Sequence, residues 1–439
     1  MKEEIKKITE EFLTATKNKK IRLISHHDTD GITSASILVK TFQRLGKQFS
    51  VRIVKGLDEK IIKEELKRNG KEVLIFSDLA SGSLDYFQEL EQPIFILDHH
   101  ELDKTKINQN IKILNPHVTG GDNICGAAVC YLFSKEISEK NKDLAKLAII
   151  GMIGDRHEKN ISKTYQEIIK DTEELEIKKS LLIFSATRPL RRSLEYSTSC
   201  YIPGVTGSSE GVKEILRENN ISPERTLNDL DENELSRLVT SVMVRRAGKR
   251  EEDEIIGNVY LLKFFNRKED VRELSVLINS CSRLGNPATA IFFCLESSKA
   301  KKEAEDIYIK YKQELISGLK VAEKINLKKG KGFVILNAKE QIKDALIGTI
   351  CSMISSSPTY EEGTILIGMA YNDNKIKVSA RIAGRKGKNL KEVMEQSVVN
   401  LEAEVGGHQM AAGCLIKKED ENKFIENLTK HLEIDIVKI

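Results

Sequence analysis

The 439 residues carry a net charge of +4, with 31% charged and 40% apolar residues. That length exceeds a single compact core and predicts two or three domains. The balance excludes a disordered or fibrous chain, and the mild positive charge permits an anionic partner without requiring one.

In chain order, MKEEIKKITEEFL reads as a charged amphipathic helix rather than a signal peptide. IRLIS (21–25), VRIV (51–54), EVLIFS (72–77) and IFIL (94–97) read as strands, with SASILVKTFQRL and GAAVCYLFSKEI as helices among them. Such alternation predicts a mostly parallel α/β sheet. The stretch from about 160 to 270 is charge-rich and largely helical in pattern. From about 297 to 325 the chain lacks proline and has one glycine, which predicts one long helix of roughly 40 Å joining domains. Strands resume in GFVILNA, TILIGMAY and KIKVSARIA, the last two flanking Asn372-Asp373-Asn374 as a hairpin. The expected division is 1–160, a catalytic domain; 161–296, a mainly helical insert with a return to that domain; 297–329, the connecting helix; and 330–439, a smaller α/β domain. No apolar run is long enough to span a bilayer, so no membrane partner is expected. Seven scattered cysteines without a CxxC pair fit a reduced, cytoplasmic compartment in which they act as small core residues.

The polar residues that end the first strands are the informative ones. IRLIS runs into His26-His27-Asp28-Thr29-Asp30-Gly31, EVLIFS into Asp78 and IFIL into Asp98-His99-His100; Asp155 follows the helical pattern LAKLAIIGMIG. Strand carboxyl ends share one edge of an open parallel sheet, so these groups are expected to converge there. One such Asp alone is ordinarily a helix cap or turn residue. Several together repel unless cations sit among them. Two divalent ions answer that need, with Asp78 able to bridge them and Asp28 and Asp30 able to serve one each. Mixed imidazole and carboxylate donors favour Mn2+ over Mg2+. One histidine of the 99–100 pair would ligate metal and the other would face a substrate phosphate as donor or general acid.

These residues resemble a known family. HHDTDG (26–31), the lone Asp78, the DHH triplet at 98–100 and Gly154-Asp155 are similar to the motifs of the DHH phosphoesterases, and GGHQMAAG (406–413) resembles the signature of the associated DHHA1 domain. NSCSRLGNP (279–287) and YIPGVTG (201–207) resemble segments of archaeal RecJ-like proteins, relatives of Cdc45. The resemblance implies that His26, Asp28 and Asp78 hold one metal, and that Asp30, Asp78, His99 and Asp155 hold the other. It implies that Asp98 orients a neighbouring group and that His100 contacts the scissile phosphate. His27 is left unassigned, and His117 and His157 are expected to be structural or supporting. Gly406 and Gly407 would let backbone N–H groups approach an anion beside His408. Arg381 and Arg283 are candidate phosphate clamps. Arg385-Lys386-Gly387-Lys388 reads as a solvated loop that could also track a nucleic-acid backbone.

The activity implied is that of a RecJ-like exonuclease on single-stranded DNA or RNA, DNA and 5′→3′ polarity favoured, working in a cleft that excludes a duplex. An oligoribonuclease or nucleotide phosphatase of the same superfamily is the alternative. A Cdc45-like scaffold that docks on the GINS complex of the replisome is another, although scaffold members lose ligands and every ligand position here is filled. With 5% aromatic residues and no Trp, backbone contacts are expected to outweigh base stacking.

Overall fold

The protein is described here by a computed structural model covering residues 2–68, 70–183, 185–197, 200, 202–246, 255–356, 359–384 and 386–434. Tyr201 and Arg385, singled out above, lie outside the described residues. The chain packs as two units, Met1–Lys178 with Asn258–Ile309, and Lys179–Gly257 with Lys310–Ile439.

The first unit is built on five parallel strands: β1 (Lys20–His26), β2 (Phe49–Val54), β3 (Glu72–Ser77), β4 (Ile94–Leu97) and β5 (Ile111–Leu114), in the order β2-β1-β3-β4-β5. In β5 Lys112 interrupts the apolar run, which is why the sequence pattern passed over it. β3 and β4 are buried almost throughout, as parallel strands covered on both faces must be. On one face, helix Thr29–Arg44 packs against helices Gly126–Ile137 and Ala145–Gly154. Its small, mixed run GITSASILV lets it be buried nearly all round. The N-terminal helix is pinned by Phe12, whose ring meets Phe42, Phe95 and Phe133 at 5.7, 5.2 and 5.3 Å between centroids. The strand order reverses between β1 and β3, which opens a crevice at their carboxyl ends.

The charge-rich stretch after residue 160 is helical at Lys163–Asp171, Leu190–Glu195, Ser209–Glu218 and Glu232–Arg246, but it also carries β6 (Glu176–Leu181), β7 (Ile256–Phe264) and β8 (Arg267–Asp270). Exposed lysines on β6 remove the apolar alternation that marks a strand. β7 and β8 pair as a hairpin around Phe265 and Asn266, both at positive φ. The long helix is present as Ser298–Lys324, 27 residues.

The second unit contains β9 (Lys328–Gly330), β10 (Phe333–Lys339), β11 (Ile365–Asn372), β12 (Lys375–Ile382), β13 (Ala403–His408) and β14 (Ala411–Lys417), in the order β13-β14-β12-β11-β10-β9. β10 and β11 are parallel and the other neighbours antiparallel. The expected β11–β12 hairpin is present, with Asn372 paired to Lys375 and Asp373 left-handed at φ 51°. Its core joins the inner sheet face to Leu390, Met394, Phe424 and Leu428. All seven cysteines are buried, and none forms a disulfide. Among the described residues no helix is long and apolar enough to cross a membrane.

Candidate metal centre

Each predicted group leaves the end of a secondary-structure element. His26 is the last residue of β1, and Asp28 caps the following helix by accepting from Gly31 N at 3.0 Å. Ser25 Oγ donates to Gly31 O at 2.7 Å, and Gly31 leaves no room for a Cβ, which would lie 2.3 Å from His26 O. The turn therefore folds back tightly on β1. Asp78 follows β3 at φ 55°, a left-handed conformation that costs about 1 kcal/mol for a residue with a Cβ. Its N–H still bonds Leu97 O at 2.9 Å, so the strained residue remains tied to β4.

His26 Nδ1 lies 3.1 Å from Asp28 Oδ1 and 3.6 Å from Asp78 Oδ2. His99 Nε2 lies 3.3 Å from Asp78 Oδ1 and 3.7 Å from Asp30 Oδ2, while its Nδ1 is 3.8 Å from Asp155 Oδ2. The six residues expected to ligate metal thus come together around the ends of β1, β3 and β4 and of helix Ala145–Gly154. Among the described residues three groups place donor atoms within 4.8 Å of one another: His26, Asp28 and Asp78; Asp78, Asp98, His99 and His100; and His99, Asp155 and His157.

Asp98 and Asp30 are engaged differently from the rest. Asp98 is fully buried; Oδ2 accepts from Ser81 N at 3.0 Å, and Oδ1 faces His99 N at 2.8 Å and His100 Nδ1 at 2.7 Å. Its oxygens hold the DHH loop in shape. Asp30 accepts Gly126 N at 2.6 Å and Ala127 N at 2.8 Å, so its carboxylate also sits on the N-terminus of helix Gly126–Ile137. Gly126 is the residue the sequence did not single out. A Cβ there would lie 2.8 Å from Asp78 Cβ and 3.1 Å from Asp30 Oδ2. A glycine opening a helix carries no signal of that approach in the sequence.

The electrostatics report a surplus of negative charge. Burial pushes Asp30 well above the usual carboxylate range, with Asp78 and Asp155 adding repulsion. Burial opposes charge on His99, but Asp78, Asp30 and Asp155 outweigh it and push the imidazole up to about 10. His26 is likewise raised, against its burial, by Asp28 and Asp78. Against their own burial, Asp28 is held well below the usual range chiefly by His26, and Asp98 chiefly by His100. The hydrogen bond to Asp98 raises His100. Asp78 Oδ2 is buried with no hydrogen-bond partner. A buried carboxylate oxygen with no donor, among acids and imidazoles that attract protons, is a donor set that fits divalent cations.

The remaining candidates lie apart from this cluster in their bonding. Arg283 ends helix Val271–Arg283 and donates through Nε to Asn279 Oδ1 at 3.1 Å. Gly406, Gly407 and His408 form the exposed edge strand β13, turning into β14 through Gln409 and Met410. The segment is a β-hairpin. Gly407 has φ 123°, and a Cβ there would meet Ala411 O at 2.4 Å. Arg381, Ala411 and His408 are direct cross-strand partners, so their side chains share one face. Arg381 Nε donates to Ser352 Oγ at 2.9 Å.

Comparison with known proteins agrees with this anatomy. Residues 20–152 match the DHH family, N-terminal domain; residues 132–354 match archaeal Cdc45; residues 330–433 match the DHHA1 domain. The chain belongs to the archaeal Cdc45 family and has the DHH-superfamily phosphoesterase fold, completed by a DHHA1 domain. It is 28% identical over 421 residues to uncharacterized protein MJ0831 of Methanocaldococcus jannaschii, covering 93% of this chain and 92% of that one. CDC45 from Entamoeba histolytica is similar in structure with a TM-score of 0.67 at 13% identity, over 97% of this chain and 98% of that chain. RecJ from Thermus thermophilus, in complex with Mn2+, gives 0.60 at 16% identity over 98% of this chain. The chain spans about half the length of that RecJ, 54%.

Proposed function

We propose that the protein is a metal-dependent phosphodiesterase that removes nucleotides from the end of single-stranded nucleic acid, DNA favoured and 5′→3′ favoured. The observation that carries this reading is the centre itself: Asp78 Oδ2 is buried without a donor, between imidazoles and carboxylates delivered by four element ends. A protein that used the fold only as a scaffold would have no need to maintain that charge surplus. His26, Asp28 and Asp78 would hold one cation, and Asp30, Asp78, His99 and Asp155 the other, Mn2+ favoured. When bound, two such ions polarise a phosphoryl group and ease deprotonation of the attacking water.

The chain's own groups supply the rest. Asp98 takes His100 Nδ1 at 2.7 Å, which fixes the half-exposed ring and leaves Nε2 for a phosphate or leaving oxygen. Because Asp98 raises its pKa, His100 is suited to donate a proton to the departing oxygen. Arg381 and His408, on one face of the second unit's sheet, would bind a phosphate with backbone N–H groups of Gly406 and Gly407. Arg283 would clamp another. Docking on a replisome partner such as the GINS complex is compatible with this activity.

The test is incubation with Mn2+ of single-stranded DNA and RNA oligomers labelled at either end, with duplex and dinucleotide controls and Asp78→Ala beside the wild type. Stepwise loss from one end of long single strands, abolished in Asp78→Ala, is expected. Cleavage confined to oligomers of a few nucleotides would move the assignment to the small-substrate hydrolases. No metal-dependent cleavage would leave a docking role.

A further inference from the structure

The residues that follow β3, β4 and β5 form a series. Asp78 and Asp98 each stand one residue past a strand end, and Asn115 stands one past the end of β5. The register runs through them: Asp78 N–H bonds Leu97 O at 2.9 Å, and Asp98 N–H bonds Leu114 O at 3.1 Å. The third member differs in chemistry, because an amide can donate where a carboxylate only accepts. Asn115 is fully buried. Its Oδ1 accepts from His117 N at 2.8 Å and so caps the short helix that follows. Its Nδ2 donates to Ser81 Oγ at 3.0 Å and to the His100 carbonyl at 2.9 Å. A backbone N–H on one side and a backbone carbonyl on the other leave the amide a single orientation. These contacts need no cation to account for them.

Residues 98–103 belong to no helix or strand, so regular backbone pairing does not place His100. Two side chains do. Asp98 faces the ring at Nδ1, 2.7 Å away, and Asn115 holds the main-chain carbonyl of the same residue. Both also reach Ser81 in the loop after β3: Asp98 Oδ2 accepts its N–H at 3.0 Å, and Asn115 Nδ2 donates to its hydroxyl at 3.0 Å. Asp98 anchors the DHH loop where it leaves β4, and Asn115 anchors it two residues further on. The loops after β3 and β4 are thereby tied to each other and to the end of β5. We infer that Asn115 is a positioning residue whose amide fixes the main chain of His100 and so sets where the half-exposed imidazole meets a phosphate. The inference rests on the reading of His100 as the group that contacts the scissile phosphate.

The experiment compares the full-length wild type with Asn115→Ser and Asn115→Ala. Serine caps a helix about as well as asparagine but lacks the amide donor, and alanine lacks both functions. Single-turnover cleavage of an end-labelled single-stranded DNA oligomer with Mn2+ gives the saturated rate and the half-saturating enzyme concentration. Melting curves give stability beside them. Both variants are expected to lose about 10–100-fold in the saturated rate, as a group misplaced at the reacting centre does, with the half-saturating concentration unchanged. They are expected to lose it equally although Asn115→Ala melts below Asn115→Ser. Hydrogen exchange of the peptide containing residues 98–101 is expected to quicken about tenfold in both. A rate loss that follows the melting temperatures, large in Asn115→Ala and absent in Asn115→Ser, would assign Asn115 to helix capping alone and overturn the inference. So would a loss confined to the half-saturating concentration, or unchanged exchange at 98–101. A wild type that cleaves no nucleic acid would remove the proposed function and this inference with it; a cleaving wild type matched by both variants would remove this inference alone.

Discussion

Gly126→Ala tests whether close approach at the centre outweighs ordinary helix propensity. Alanine inside a helix gains up to about 1 kcal/mol over glycine. At Gly126 the added methyl would lie 2.8 Å from Asp78 Cβ and 2.9 Å from Asp78 Oδ1, distances that real Cβ atoms do not tolerate. Asp78 is itself strained and tied to Leu97 O, so it yields little. Overpacking of this kind costs about 1–3 kcal/mol. Pushing the helix away also stretches the 2.6 and 2.8 Å bonds from Gly126 and Ala127 to the Asp30 carboxylate, and such bonds to a charged group are worth about 1.5–3 kcal/mol each. Counting a partial loss of these, the net effect is destabilisation of about 2 kcal/mol. Hydrogen exchange of the peptide containing residues 126 and 127, read by mass spectrometry, should then accelerate about 30-fold. Mn2+ affinity should fall with it. Exchange equal to or slower than wild type would refute the packing argument, since helix propensity alone would then decide the sign.

Three further outcomes follow from the same geometry. Mn2+ at about 100 times its dissociation constant should stabilise the wild type by about 2.7 kcal/mol per site, and Asp78→Asn should show no such shift in thermal unfolding. Gly407→Ala should lower the melting temperature, because φ 123° and Ala411 O at 2.4 Å both oppose a methyl; Gly406→Ala, with nothing within 4 Å of its Cβ, should melt as wild type and lose only oligonucleotide affinity. Glu65 is buried, which disfavours its charge, yet Arg22 and Arg52 hold its pKa below the usual value. A depressed folded pKa means that its stabilisation is present above the unfolded value of about 4.3 and is lost as pH falls below it. Melting curves between about pH 3.5 and 6 should show that loss in the wild type and a flatter profile in Glu65→Gln; identical slopes would remove the ion pairs from the account.

Legibility followed local patterning. Apolar strands ending in acids and imidazoles stand out because burial demands one composition and a cation site another, and the two meet at a single residue boundary in β1, β3 and β4. A proline-free run marked the helix Ser298–Lys324, and Asn372-Asp373-Asn374 between two strands marked the β11–β12 hairpin. Apolar patterning failed for β5, where Lys112 interrupts a four-residue run, and for β6, whose lysines are exposed. At 406–413 the glycines carry no mark of secondary structure, and the pairing of His408 with Ala411 is what makes the segment a hairpin.

What the sequence determined by itself was the inventory of the centre and the kind of sheet that gathers it: the spacing of Asp28 and Asp30, the DHH triplet and the strand rhythm are one-dimensional facts. What the tertiary structure decided was the use of each donor. Asp98 is spent on the N–H groups of Ser81 and His99 and on His100, Asp30 is shared with a helix that begins almost a hundred residues later, and Asp78 keeps a buried oxygen without a hydrogen-bond partner. Those assignments depend on distances between segments remote in sequence, and on which backbone N–H groups are left over at helix ends. No residue pattern within one segment encodes either.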